Sequence, residues 1–458
     1  MTNKKQEQRH LVAIIGGAVS GAEAAYQLTR QGVEVVVFEQ NLLPYGKIED
    51  GLPKWHAKLR DKEERKIDER LSHSLVRFVP GVQLGRDIDL DALARQWGFS
   101  AVLLAIGAWR DRPLPLPGID AYVGRGLVYQ NPFIYWYNHK HEPGYQGPEY
   151  EAPDGAIVVG GGLASLDVAK VLMFENVERA LRERGHSIDL FSLDRGIAKV
   201  LEDLGYNLND LGLQGCTLYY RRRIKDMPLS PKPAETPDEV ERVHKIQEKI
   251  FRNYQSKYLF QVQPCHMPVD YLVDDDRLAG LVFRRTEVKD GRVRPLPGTD
   301  YAVRAPLVVS SIGSIPQPIK GIPMQGQVYK ICSKDCCRLE GFDNVFALGN
   351  AVTGRGNIRD SHRHGREVAQ VMAERYLHEP VKYQASFRNA EGVVTKSIDR
   401  IGRHLEGFAA PTEAQRRYID EQLRRLQEKA GYDGDYQKWI ARHRPVRLEE
   451  LTDEKAGK

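Results

Sequence analysis

The sequence predicts an α/β protein carrying two Rossmann-like, three-layer dinucleotide-binding units. Two glycine-rich turns support this, each opening a helix directly after an apolar strand. The first lies in LVAIIGGAVSGAEAAYQL, from Leu11, and the second in GAIVVGGGLASLDVAKVL, from Gly155. A third observation is what ends the strand after each turn: Glu39 in VEVVVFEQ, and Arg221, Arg222 and Arg223 in CTLYYRRR. One glycine turn is a weak signal. Two of them, a small domain apart, imply two dinucleotides held by one chain.

Such a turn needs glycine because the chain must reverse tightly and its backbone must come close to a pyrophosphate. The following helix N-terminus offers unpaired N–H groups and the positive end of its dipole. In the first turn the residues are Gly16, Gly17, Ser20 and Gly21. Ala18 stands where a second glycine is usual and crowds the pyrophosphate slightly. Glu39, followed by Gln40, lies at the spacing of the acid that bonds a ribose hydroxyl, roughly 20 residues beyond the turn. The second turn holds Gly160, Gly161 and Gly162, then Leu163 and Ala164, with Ser165 where a third glycine often sits. An acid after this turn would suit the bare 2′-hydroxyl of NAD(H). The arginines suit the 2′-phosphate of NADP(H), with a solvated basic strand end as the alternative.

The 458 residues leave room for two or three domains. Hydrophobic content of 41% and charged content of 28% are those of an ordinary soluble protein. A net charge of +5 is too mild to imply nucleic acid, though compatible with an acidic partner. Five cysteines form no disulfide framework and suit a reducing compartment. MTNKKQEQRH before the first apolar run imitates a signal peptide, but the glycine turn accounts for the same residues. No run is long enough to span a bilayer, so the expected location is cytoplasmic.

After Glu39 the chain passes through a Pro/Gly loop into a charged helix. SAVLLAIGAW then reads as a strand ending at Gly107, and PLPLPGIDAY as a Pro-rich connector and candidate hinge. Residues 251–309 alternate strand-like pieces with turns. LVVSSIGSIPQP mirrors SAVLLAIGAW, and GFDNVFALGNAVTGRGNI is another strand entering a glycine-rich loop. From about Ala385 the chain is polar and helix-prone.

The order of these landmarks, from about Leu11 to Ala373, resembles the adrenodoxin reductase family, of ferredoxin–NADP reductase type, and its relative, the glutamate synthase small chain. PYGKIEDGLPKWH resembles the family's loop after the acid, with Gly46, Gly51 and His56 in register. PFIYWYN, GGGLASLDVA, YRRRIKDMP and ALGNAVTGRGNI match further family segments. The resemblance implies an NADP domain inserted into an FAD domain. Residues 1–114 and 326–384 would form the FAD domain, 115–325 the NADP(H) domain, and 385–458 a helical extension without a placed counterpart. FAD would lie against Gly16 to Gly21, Glu39, Gln40, Gly46, Lys47, Leu84 and Gly107. Its ring would meet the loop holding Gly349, Asn350, Gly356, Asn357 and Ile358. NADPH would lie on Gly160 to Ala164, with Arg221 and Arg222 at the 2′-phosphate and Glu235 near the nicotinamide.

The resemblance also places His56 and Asp167 near the flavin, to relay a proton or orient the nicotinamide amide. A surface-loop histidine and a first-turn helix acid are the plainer readings. Asn350 departs from the Asp or Trp of relatives, and the cysteine-rich iron–sulfur region of the glutamate synthase small chain is not expected. The implied activity is oxidation of NADPH through FAD, with electrons passed to a one-electron iron–sulfur acceptor such as ferredoxin. A second reading makes the chain a flavoprotein subunit of a larger complex, docked by its C-terminal helices. A thiol–disulfide reductase would want C-x-x-C beside the flavin. Cys332, Cys336 and Cys337 are instead spaced C-x-x-x-C-C, and no further ligand completes a metal site there. Basic stretches at Arg221 and at KLRDKEERK, from Lys58, could steer an acidic ferredoxin. The alternating signs of the second read as a solvated face.

Overall fold

A computed structural model describes residues 9–229, 236–332, 337–349 and 380–451. Glu235, Cys336, Asn350, Gly356, Asn357 and Ile358 lie outside the described residues.

Apolar runs bounded by glycine turns are buried on both faces, as central strands of parallel sheets are. The first sheet is parallel throughout, in the order Val345–Ala347, Ala101–Leu104, Leu11–Ile15, Glu34–Phe38, Val76–Val79. Alternation splits its side chains between two cores. Val12, Ile14, Val35 and Val37 face one layer, and Leu11, Ala13, Ile15, Val36 and Phe38 the other. The second sheet is also parallel, in the order Leu127–Tyr129, Val308–Ser311, Ile157–Gly160, Thr217–Tyr220, Gln261–Pro264. All its strands fall between the fourth and fifth strands of the first sheet in the chain. Where the chain crosses between the units, Arg110–Asp111 pairs antiparallel with Ser314–Ile315.

One face of the second sheet carries the helices Leu163–Arg182 and Pro237–Tyr258. The other carries an antiparallel sheet in which Arg277–Lys289 pairs with His266–Asp274, Arg292–Pro295 and Tyr301–Arg304. Leu278, Leu281 and Phe283 of this third layer pack on Ile157, Val159 and Tyr219. Phe283 stacks on Tyr219 with ring centroids 3.8 Å apart.

The C-terminal helices pack back onto the first unit. Pro380–Leu405 buries Val394, Ile398, Ile401 and Leu405, spaced as one helical face, beside Val12, Ile14, Ala25 and Leu28. Glu413–Ala430, opened by a Thr412/Gln415 capping box, buries Ile419 and Leu423 against the opposite layer. Tyr436–His443 sets Tyr436 edge-on to Phe78 at 5.2 Å. The apolar faces of these helices are therefore covered by the chain's own core. The KLRDKEERK helix departs from a solvated face as well: Arg60, Glu63 and Glu64 are buried in it. No described helix is long and apolar enough to cross a membrane.

Candidate functional site

At the first turn Gly16 has φ +99°, and a Cβ there would stand 2.7 Å from the Ala105 carbonyl oxygen. A Cβ on Gly21 would stand 1.8 Å from the Gly16 oxygen, so helix and strand touch backbone to backbone. The helix Val19–Arg30 starts at Ala18 without a side-chain cap, which leaves its first N–H groups to a ligand. The methyl of Ala18 is accommodated by Gly46, where a Cβ would come within 2.9 Å of it. Gly349 (φ +60°) returns to the same turn, and a Cβ on it would be 2.4 Å from Ser20 Oγ. The structure thus brings Ser20 and Gly349 together across most of the chain.

These residues open onto a cavity of about 820 Å³, near the upper end of the range for small-molecule sites. Gly16, Ala18, Ser20, Glu39, Gln40, Gly46, Lys47, Leu84, Gly107 and Gly349 lie on its wall. Leu163, Ala164 and Leu229 of the second unit line it too, as do Phe387, Asn389, Ala390 and Val393 of the Pro380–Leu405 helix. Glu39 is buried and accepts bonds from the N–H groups of Gly17 (2.8 Å) and Asn41 (3.0 Å). Burial outweighs those bonds and pushes its carboxyl up to about 7.

At the end where the units meet, the Lys47 ammonium donates to Asn131 Oδ1 (3.2 Å) and Ser314 Oγ (3.1 Å) and lies 5.5 Å from the Trp109 ring. Burial lowers it to about 8, against the pull of Asp111. Asp111 is itself raised to about 6 by burial, while bonding the Asn131 N–H at 3.2 Å. Asn131, Ser314 and the wall of the C-terminal helix escape a motif search because each comes from a separate element. The helical spacing of Val394, Ile398 and Ile401 is the signal in the sequence that could have shown that the last of these packs on something.

In the second turn a Cβ on Gly160 would stand 2.5 Å from the Ser311 oxygen, and one on Gly161 would stand 2.1 Å from the Tyr220 ring. Gly162 has open space around it and N-caps the next helix without a side-chain cap. Ser165, at the third-glycine position, is buried and donates to the Gly162 carbonyl at 2.6 Å. The three arginines separate. Arg223 is paired with Asp226 at 2.8 Å, and Arg222 donates to the Gly291 carbonyl at 3.0 Å. Arg221 is exposed and has no ion pair among the described residues.

Neither His56 nor Asp167 lies on the cavity wall, and both plainer readings are corrected. His56 is buried rather than on the surface, with its Nε2 accepting from the Trp55 indole N–H at 3.0 Å. A neutral His56 therefore carries its proton on Nδ1. Asp167 is buried in the second turn of its helix, not the first. Cys332 is exposed and takes a bond from Arg338 Nε at 3.3 Å, and neither it nor Cys337 reaches the cavity.

The loop between Gly46 and His56 is held by ion pairs. Buried Arg447 bonds Glu49 at 2.7 Å and Glu64 at 2.8 Å. His139 bridges Asp50 (3.2 Å) and Glu142 (2.7 Å). Glu49, His139 and Glu142 lie close enough to hold a cation, but Arg447 and the ring of His139 already serve these carboxylates. Burial opposes charge on His139, and the bonds from Asp50 and Glu142 outweigh it, raising the ring from 6.5 to about 9. A raised histidine stabilises the fold fully below its unfolded pKa and ceases to do so above its folded one. His139→Gln is expected to cost about 3 kcal/mol at pH 6, shrinking toward zero above pH 9. Urea melts of both proteins across that range measure the difference.

Comparison with known proteins agrees with this geometry. Residues 10–204 match the pyridine nucleotide-disulphide oxidoreductase family. The small chain of NADPH glutamate synthase from Mycobacterium tuberculosis is 32% identical over 382 residues, 80% of this chain and 66% of that protein. The chain belongs to the adrenodoxin reductase family and its glutamate synthase small-chain relatives. A second member of that company, the probable mitochondrial NADPH:adrenodoxin oxidoreductase of Schizosaccharomyces pombe, is 28% identical over 44% of this chain and 42% of its own. The putative oxidoreductase AegA of Escherichia coli is 25% identical over 78% of this chain and 48% of its own length. This chain thus spans about half or less of these last two relatives. The adrenodoxin reductase-like fold is shared with Mycobacterium tuberculosis FprA, solved in complex with NADPH. The TM-score is 0.64 at 21% identity, over 92% of this chain and 91% of that one.

Proposed function

We propose that the chain is an FAD-dependent oxidoreductase that takes electrons from NADPH and passes them to a one-electron iron–sulfur acceptor such as ferredoxin. The observation that carries this reading is the shared cavity: residues of the first glycine turn and Leu163 and Ala164, the first helix residues after the second turn, line one space. FAD fits it, because the helix N-terminus at Ala18 has no side-chain cap and opens on the cavity, and Glu39 waits beyond the turn. When bound, FAD would supply the exchange between two-electron hydride chemistry and one-electron transfer.

The chain's own residues would do little acid–base work. Gly16 to Gly21, with the helix N-terminus behind them, would hold the FAD pyrophosphate, and Glu39 its ribose. Gly46, Lys47, Leu84 and Gly107 would border the rest, and Asn350 and Gly356 to Ile358 would follow Gly349 along the ring. Gly160 to Ala164 would present NADPH, with Arg221 on the 2′-phosphate, Arg222 beside it and Glu235 toward the nicotinamide. Leu163, Ala164 and Leu229 would exclude water where the rings meet. His56 and Asp167 would act from behind the wall, by position. Units at 1–114 with 326–384 and at 115–325 accord with the sheet order, 385–458 would form the helical extension, and a cytoplasmic location and the absence of a nucleic-acid partner accord with the composition.

The identity to the glutamate synthase small chain favours a second reading, electron supply within a larger complex. The test is an anaerobic titration of the FAD-loaded protein with NADPH and with NADH, following the yellow flavin band. Bleaching by NADPH is expected at concentrations where NADH leaves the band intact. Bleaching by NADH alone would overturn the arginine assignment, and no bleaching by either would turn the reading toward a complex subunit reduced by its partner.

A further inference from the structure

Among the described residues, the cavity wall carries three cations: Lys47, Arg86 and Lys320. Arg86 and Lys320 are exposed, and Lys47 is half-buried. Lys47 belongs to the first unit, yet both its hydrogen bonds go to the second, to Asn131 and Ser314, beside the strand pair joining the units. The adenosine end of a dinucleotide is claimed by Gly16 to Gly21 and Glu39, so the opposite end of the cavity receives the ring. Leu163 and Ala164 of the second turn enter there, and hydride transfer requires both rings to be in contact. Lys47 stands at that end. Its acceptors are neutral, it forms no ion pair among the described residues, and Asp111 is not part of the wall.

We propose that Lys47 is the charge that tunes the flavin in this chain, favouring the reduced ring over the oxidised one. The inference rests on the reading that FAD fills the cavity. A hydride brings two electrons and one proton, so it adds one net negative charge to the ring it reaches. A fixed ammonium in a half-buried wall favours the state with that added charge. Its bonds to Asn131 and Ser314 hold it in place without neutralising it. Retention of a partly desolvated ammonium, lowered by burial, has its return in this interaction.

The experiment is a spectroelectrochemical titration of FAD-loaded wild type, Lys47→Gln and Lys47→Arg. Lys47→Gln keeps a hydrogen-bonding side chain and removes the charge. It is expected to lose about tenfold in preference for reduced over oxidised FAD, a midpoint about 30 mV lower for the two-electron couple. Lys47→Arg is expected to keep the wild-type midpoint. A Lys47→Gln midpoint equal to wild type would overturn the inference, and so would a Lys47→Arg shift as large as that of Lys47→Gln, which would make the role one of packing. Wild type that takes up no FAD would instead sink the cofactor reading beneath it.

Discussion

Arg221→Ala is expected to raise the KM for NADPH about 30-fold and to leave that for NADH within about twofold. The magnitude is that of one charge-assisted hydrogen bond, about 2 kcal/mol. Arg223 is held by Asp226 and Arg222 by the Gly291 carbonyl, whereas Arg221 is exposed beyond the end of the strand that follows the second turn. Steady-state kinetics with each nicotinamide cofactor give the comparison. Equal losses for both would mean that Arg221 supports the fold of the strand end rather than the phosphate.

The second large effect is expected in the C-terminal helices. Ile398→Asp places an unpartnered carboxylate among Val12, Ile14, Ala25 and Leu28, at a position with no solvent exposure. A destabilisation of about 4 kcal/mol or more follows from combined loss of apolar burial and gain of a buried charge, a large share of a domain's whole stability. Thermal unfolding would show it directly, and FAD would be lost with it, because Val393 and Ala390 on the same helix line the cavity. A variant that melts as wild type does and retains FAD would mean that the helix is an appendage.

Much of the fold could be read from residues close together in the chain. Gly16, Gly21 and Glu39 announce a strand–turn–helix–strand unit because backbone contact and the helix terminus dictate residue type at fixed spacing. The same holds for Gly160 and Gly161, whose missing side chains leave room for the Ser311 carbonyl and the Tyr220 ring. Lys47 was legible only as a position in a loop. Its chemistry depends on Asn131 and Ser314, which tertiary packing alone brings near. His56 and Asp167 reveal the converse limit: their resemblance to family positions was clear, but burial behind the wall is a product of Trp55 and of helix phase, which the motif does not encode. The C-terminal segment read as polar and helix-prone and carried no motif, so that it is helical was legible and what it packs on was not.

The placement of the sheets has a consequence for synthesis on the ribosome. The second unit draws every strand of its parallel sheet from between Leu127 and Ser311, so it can close while the chain is still growing. The first unit emerges earlier but lacks its edge strand, Val345–Ala347, and the helices from Pro380 onward until well after the second unit has been made. The order of maturation is therefore the reverse of the order of synthesis. In the interval the strands from Leu11 to Leu104 have both apolar faces without their final cover, which makes the unfinished chain a natural client for chaperones.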